Sequence, residues 1–207
     1  MATVSGKSYF KFINVLKCLN IKYDSVLPEE ITCSDRRLIL TTMPESLQIP
    51  TNLILLDDEF DNHPTIVKAK IVKKLQSGLK ENSLVIGIDP GSRIGLSIFY
   101  CEKEIESSFY TSVDDLVSHI VKILGGINAQ RKVVKVGNGT MQIARHIVNS
   151  LNLQFCSHFE LEFVDEHKTS LKIRNYNKRG ERDKISARYI IHREGYRHLV
   201  LPLSRMG

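Results

Sequence analysis

What the chain lacks narrows it first. Its longest apolar runs span only a few residues, such as Leu53–Leu56. None approaches the roughly 20 needed to cross a bilayer as a helix. The opening Met-Ala-Thr-Val-Ser-Gly-Lys carries no apolar signal core, so secretion is not expected. Cysteine is scarce: Cys18, Cys33, Cys101 and Cys156 are widely spaced and form no Cys-x-x-Cys pair. A zinc ribbon is therefore not expected, and reduced thiols in a cytoplasmic protein are.

What is present suits a folded chain with a polyanionic partner. Hydrophobic residues make up 42% of the 207, enough for a packed core. The formal net charge is +6, and it is unevenly placed. Residues 1–82 hold 11 basic and 10 acidic side chains, whereas 168–205 hold 11 basic and 3 acidic. A cationic segment of this kind gains affinity for phosphates by releasing their condensed counterions. Nucleic acid is the expected partner, and no membrane is.

Hydrophobic patterning divides the chain in two. In the first part, 8–19 reads as an amphipathic helix, and Ile21–Val26 alternates like a strand stopped by Pro28. Arg37–Thr41 and Leu53–Leu56 read as buried strands. Residues 1–60 are thus a small α/β domain of unknown role, a candidate for binding a protein partner. A basic amphipathic helix, 65–79, lies within a connector of 61–82. It could lie on nucleic acid or simply pack one face and solvate the other. Residues 83–207 form the second domain.

That second part reads strand, strand, strand, helix, strand, helix, strand, helix. Its strands begin at Leu84, Ile94, Glu104, Arg131 and His158, and its helices at Ser112, Thr140 and Asp183. Ser112 with Asp115 three residues on makes a capping-box-like start. The first three strands should form an antiparallel meander. The last two should enter through helical crossovers and run parallel to the first.

Four acids fall at chemically useful places. Asp89 ends the first strand, before the sharp Pro90-Gly91 turn. It could be only a turn residue, yet an acid there sits at the mouth of the sheet. Asp165 and Glu166 end the fifth strand, which should terminate on the same side. Strand alternation points them to opposite faces, so only one should face a metal. Glu166 is the favoured ligand, with Asp165 in reserve or capping a helix. Asp183 opens the last helix, where an acid also suits an N-cap. Carboxylates from separate elements that meet in space can hold hard Mg²⁺ or Mn²⁺ for phosphodiester hydrolysis. The fourth strand ends Gly137-Asn138-Gly139-Thr140. That segment is either a plain strand-to-helix turn or a site where helix amides hold a phosphate, with Thr140 contributing. The cations Lys168, Lys172, Arg174, Lys178, Arg179 and Arg182 are candidate phosphate contacts, with Tyr176 placed to stack on a base.

These residues also carry a resemblance. Val85-Ile86-Gly87-Ile88-Asp89-Pro90-Gly91-Ser92-Arg93-Ile94-Gly95-Leu96 resembles the opening motif of RuvC-type Holliday-junction resolvases and their YqgF relatives. Val164-Asp165-Glu166-His167-Lys168-Thr169-Ser170 resembles the YqgF Asp-Glu-Arg-x-Thr-Thr motif, with His167 in the place of Arg. Asp183-Lys184-Ile185-Ser186-Ala187 resembles its final Asp-x-x-Ala-Ala helix. Gly137-Asn138-Gly139-Thr140 is similar to the same strand end in the YqgF-like domain of the transcription accessory protein Tex. The fourth strand lacks the acid of RuvC-type resolvases, a gap shared with YqgF proteins.

The resemblance covers about 110 residues. It implies a ribonuclease H-like fold, a mixed five-stranded sheet flanked by helices. It implies a metal-dependent nuclease with Asp89, Glu166 and Asp183 as metal ligands, acting on a DNA junction or on RNA. The Tex-like feature implies the alternative, a nucleic-acid-binding or protein-interaction module without catalysis. Cutting both strands of a junction would call for a homodimer. An actin-like ATPase, whose strand also opens Ile-Gly-x-Asp-x-Gly, is disfavoured because a second such lobe is missing.

Overall fold

The computed structural model describes residues 1–76, 82–154, 159–165 and 179–198. The chain divides into two compact units, Met1–Leu79 and Lys80–Gly207.

The first unit is built around two helices and a small parallel sheet. Helix α1 (Gly6–Cys18) starts at Ser5, whose hydroxyl accepts from Ser8 N at 3.3 Å, supplying one of the amide partners a helix start lacks. Strand β1 (Ile39–Thr41) leads through the short helix α2 (Met43–Ser46) to β2 (Ile54–Leu56), which pairs with β1 in parallel. Helix α3 (Pro64–Leu75) carries the basic stripe. Its apolar side, including Val67 and Ile71, is buried with Phe12, Leu16, Leu40, Leu55 and Phe60. The Phe12 and Phe60 rings meet edge to face at 4.8 Å, the geometry their quadrupoles favour. The helix taken as a connector therefore belongs to the core of this unit. Ile21–Val26 is no strand: Val26 makes only an isolated bridge to Ala2. Alternation there had no neighbouring edge to pair with beyond that bridge.

The second unit is a mixed six-stranded sheet flanked by helices. Strands β3 (Ser83–Asp89), β4 (Ile94–Tyr100) and β5 (Lys103–Tyr110) form an antiparallel meander. The β4–β5 turn places Cys101 and Glu102 at φ 48° and 63°, as a two-residue hairpin of the right twist demands. Helix α4 (Val113–Gly126) begins at Ser112, whose hydroxyl accepts from Asp115 N at 3.3 Å. It crosses to β6 (Arg131–Gly137), parallel to β3. Helix α5 (Met141–Gln154) crosses to β7 (Glu160–Val164), parallel to β6. Helix α6 (Arg179–Ile191) follows. A short strand β8 (Tyr196–His198) then adds antiparallel to β7. The order is β5-β4-β3-β6-β7-β8, so the sheet has six strands where the sequence pattern had five. The extra strand is only three residues long and polar, too short to show a period.

Both crossovers step the same way along the sheet. The right-handed rule therefore puts α4 and α5 on one face, where they pack on each other. That face is apolar: Leu84, Ile86, Ile88, Leu96, Ile98, Val134 and Val136 are fully buried. Helix α6 covers the opposite face of β3 and β4, over Gly87 and Gly95.

Candidate active site

The three parallel strands end on one edge. In register, Ile88 faces Val136, and Gly137 faces Val164. Asp89, Asn138 and Asp165 therefore follow one another along the carboxyl ends of β3, β6 and β7. Ligands of open α/β sheets gather at this edge.

Alternation decides which way Asp89 points. Leu84, Ile86 and Ile88 face α4 and α5, so Val85, Gly87 and Asp89 face α6. Asp89 is half-buried there. Its cross-strand partner is Gly95. A Cβ at Gly95 would collide with the Asp183 carbonyl oxygen, and the Asp183 carbonyl carbon would lie only 2.8 Å away. One turn along α6, a Cβ at Gly87 would meet the Ala187 carbonyl at 2.5 Å. The two glycines thus let the backbone of α6 sit directly on the sheet. The consequence is that the backbone of Asp183, a half-buried residue, lies over Gly95, the cross-strand partner of Asp89. Residues 94 apart in sequence share one corner of the fold.

Asp165 is placed differently. It is exposed beyond the end of β7, and Asn138 Nδ2 donates to its Oδ1 at 3.4 Å. The Asn138 amide also donates to Val164 O at 3.1 Å, and Arg193 Nη1 to the Asp165 carbonyl at 3.1 Å. Thr140 is exposed at the entry to α5, where its carbonyl accepts from Ala144 N at 3.0 Å. Glu166, Lys168, Lys172, Arg174, Tyr176 and Lys178 lie outside the described residues. Arg179 and Arg182 are in the first turn of α6, with no more than their backbone described. Among the described residues no three His, Cys, Asp or Glu side chains form a metal-holding group. Asp89 and Asp183 each carry hard carboxylate oxygens, the ligand type that suits Mg²⁺ and Mn²⁺.

Sequence reasoning missed the residues that hold α6 in place. Ser97 is fully buried on the same face and donates to Glu104 Oε1 at 2.9 Å. Arg188 Nε donates to the same oxygen at 3.0 Å, and its Nη2 to Oε2. This ties the middle of α6 to β4 and β5. The register slips between Ile98 and Phe99, and that β-bulge lets Glu104 face α6 while Glu106 faces α4. Nothing in the sequence pattern marks that slip.

Farther along the same face, charge collects over β6 and β7. Glu162 is buried, 3.5 Å from Lys135 Nζ and 3.8 Å from Arg131 Nη2. Lys135 also donates to the Arg193 carbonyl. Arg131 makes a paired hydrogen bond to Glu160, at 3.1 and 2.9 Å, which holds the Glu160 carboxyl below its ordinary range. A cavity of about 400 Å³ opens here, lined by Arg131, Lys135, Glu162 and His192–Gly195.

A third feature sits at the edge strand. Phe109 is the cross-strand partner of Gly95, and 42% of it is exposed. The Arg93 guanidinium lies 5.4 Å from its ring centroid.

Comparison with protein-family models finds no match, and comparison with curated proteins finds none either.

Proposed function

We propose that the second unit is a ribonuclease H-like domain and a metal-dependent nuclease of the resolvase type. Its substrate would be structured DNA or RNA, cut by phosphodiester hydrolysis. The observation that carries the reading is the seating of the Asp183 backbone on Gly95, the cross-strand partner of Asp89, at the carboxyl edge of the sheet. That seating brings two carboxylate-bearing residues from separate elements to one corner, where a divalent cation would find hard oxygen ligands.

Asp89 and Asp183 would hold the divalent ions, with Glu166 completing the set and Asp165 beside it. Mg²⁺ or Mn²⁺ supplies a Lewis acid for the attacking water and the leaving oxygen. The chain's own part is to orient the carboxylates. Gly95 lets Asp183 approach, and the Ser97–Glu104–Arg188 network fixes the helix that carries it. Lys168, Lys172, Arg174, Lys178, Arg179 and Arg182 lead into that helix and would neutralise substrate phosphates. Thr140 stands on the same edge, at the head of α5.

A second reading has its own support. The middle strand of the edge ends in Asn138, not in an acid, and its amide is spent on Asp165. That arrangement suits a domain that binds nucleic acid without cutting it. A homodimer belongs to the resolvase reading only, and a protein partner for the first unit is a separate proposal.

Incubation with branched and single-stranded substrates and Mn²⁺ separates the two. The nuclease reading expects metal-dependent products from wild type and at least a hundredfold less from Asp89→Asn. Salt-sensitive binding with no cleavage would leave the binding module.

A further inference from the structure

One row of side chains crosses the meander at the candidate site. Asp89 pairs with Gly95, and Gly95 pairs with Phe109. Direct partners point to the same face, so Asp89 and Phe109 flank the bare Gly95 on the side that α6 covers. Two strand spacings separate them, roughly 10 Å. Strand β5 is the outer edge of the sheet, which leaves the far side of Phe109 open. Tyr100, another ring of the meander, is buried. Phe109 keeps 42% of its surface in water, so its ring is accessible to a flat partner.

Its neighbour is a cation. Arg93 leaves the Gly91-Ser92-Arg93 turn that follows Asp89 and lies over the ring. A flat guanidinium over an open aromatic face can admit a third flat group or swing to a phosphate.

We propose that Phe109 and Arg93 form a base-stacking platform beside the carboxylates, taking an unpaired base of single-stranded or splayed nucleic acid. The platform rests on the reading of the edge as a nucleic-acid site, and it adds the part of the substrate that is recognised. A base stacked on Phe109 sets the phosphate of a neighbouring nucleotide against Asp89. The ring face is sequence-tolerant, since every base has a π surface. Preference would therefore be for unpaired over paired strands, with little for one base over another.

The test uses the full chain and two fluorescein-labelled probes, a short oligothymidylate and an abasic backbone of equal length. Phe109→Ala should weaken the oligothymidylate about tenfold, the effect of losing one stacked base, and leave the abasic strand unchanged. Phe109→Trp should restore binding. Arg93→Gln should lower the salt dependence of log K by about 0.7, one phosphate's worth on a single strand. Phe109→Leu keeps the apolar bulk and removes the π face, and it replaces the alanine variant if thermal melting shows that variant unfolded. Equal binding of both probes by wild type and Phe109→Leu overturns the platform, as does an equal loss on both probes. Mn²⁺-dependent cleavage is scored separately. If wild type fails to cut while the base-dependent loss holds, the nuclease reading falls and the platform stands. If wild type cuts and Phe109→Leu binds and cuts as well, the platform falls and the nuclease reading stands.

Discussion

The two faces of the six-stranded sheet are built on opposite plans. Under α4 and α5, the strands present Leu84, Ile86, Ile88, Leu96, Ile98, Val134 and Val136, all buried. Polar groups enter that side at its rim, where Glu106 meets His119 at 2.9 Å and Ser108 at 2.8 Å. On the α6 face, β3, β4, β6 and β7 present Gly87, Asp89, Gly95, Ser97, Lys135 and Glu162 among a few apolar residues such as Val85 and Val133. One face is stabilised by apolar area, each large side chain contributing about 2 kcal/mol. The other gives up that area so that backbone and charge can approach closely.

Four changes would sharpen or break that contrast, and the largest is steric. Gly95→Val puts two methyls where the Asp183 carbonyl sits, and neither backbone can yield cheaply. A loss of about 4 kcal/mol in urea unfolding is expected. Tolerance of valine would mean that α6 is not pressed onto the sheet. Next, Ile86→Ala on the apolar face should cost about 3 kcal/mol through lost burial and a cavity. It should leave nucleic-acid binding intact, because that face takes no part in it.

Third, Glu162→Gln on the α6 face should cost about 2 kcal/mol. It strands Lys135, whose side chain is 15% exposed, without its carboxylate. The replacement Glu162→Met together with Lys135→Met should recover much of that loss, since a matched apolar pair removes both burdens. The double variant would show that charge on this face is not there for stability.

The smallest effect is a titration at the rim. Burial, followed by the Glu106 carboxylate, pushes the Tyr110 hydroxyl up to about 12, against a smaller opposing hydrogen bond from Ser108. The neutral phenol is favoured in the folded state. Its contribution is fully present below pH 10 and is lost as pH rises from 10 toward 12. Ultraviolet titration should find Tyr110 ionising late, as should Tyr100, whose hydroxyl burial also pushes up, and Glu106→Gln should bring Tyr110 alone down.

Much of the second unit was legible because its strands are long enough to carry a period. Seven-residue strands such as Leu84–Asp89 with its preceding Ser83 declare themselves by composition, and Asp-Pro-Gly marks where one must stop. Asp89 and Asp183 could be named from such stops and starts. The seating of the Asp183 backbone on Gly95 could not, because it depends on helix α6 lying on two glycines whose role appears only when the chain is folded. The row from Asp89 through Gly95 to Phe109 is likewise a product of register, and the bulge at Ile98 and Phe99 that turns Glu104 toward α6 left no trace in the pattern. In the first unit, Ile21–Val26 had the alternation of a strand but only the Ala2 bridge to pair with. Pairing, which is not local, decided the outcome there.

The central claim is that Asp89 and Asp183 serve one cation site. Calorimetric titration of Mn²⁺ into the full chain tests it most directly, with Asp89→Asn, Asp183→Asn and Glu162→Gln alongside. The account predicts Mn²⁺ binding that falls at least tenfold in each aspartate variant and is unchanged in Glu162→Gln. Binding that survives both aspartate changes, or that is absent from wild type, would contradict it.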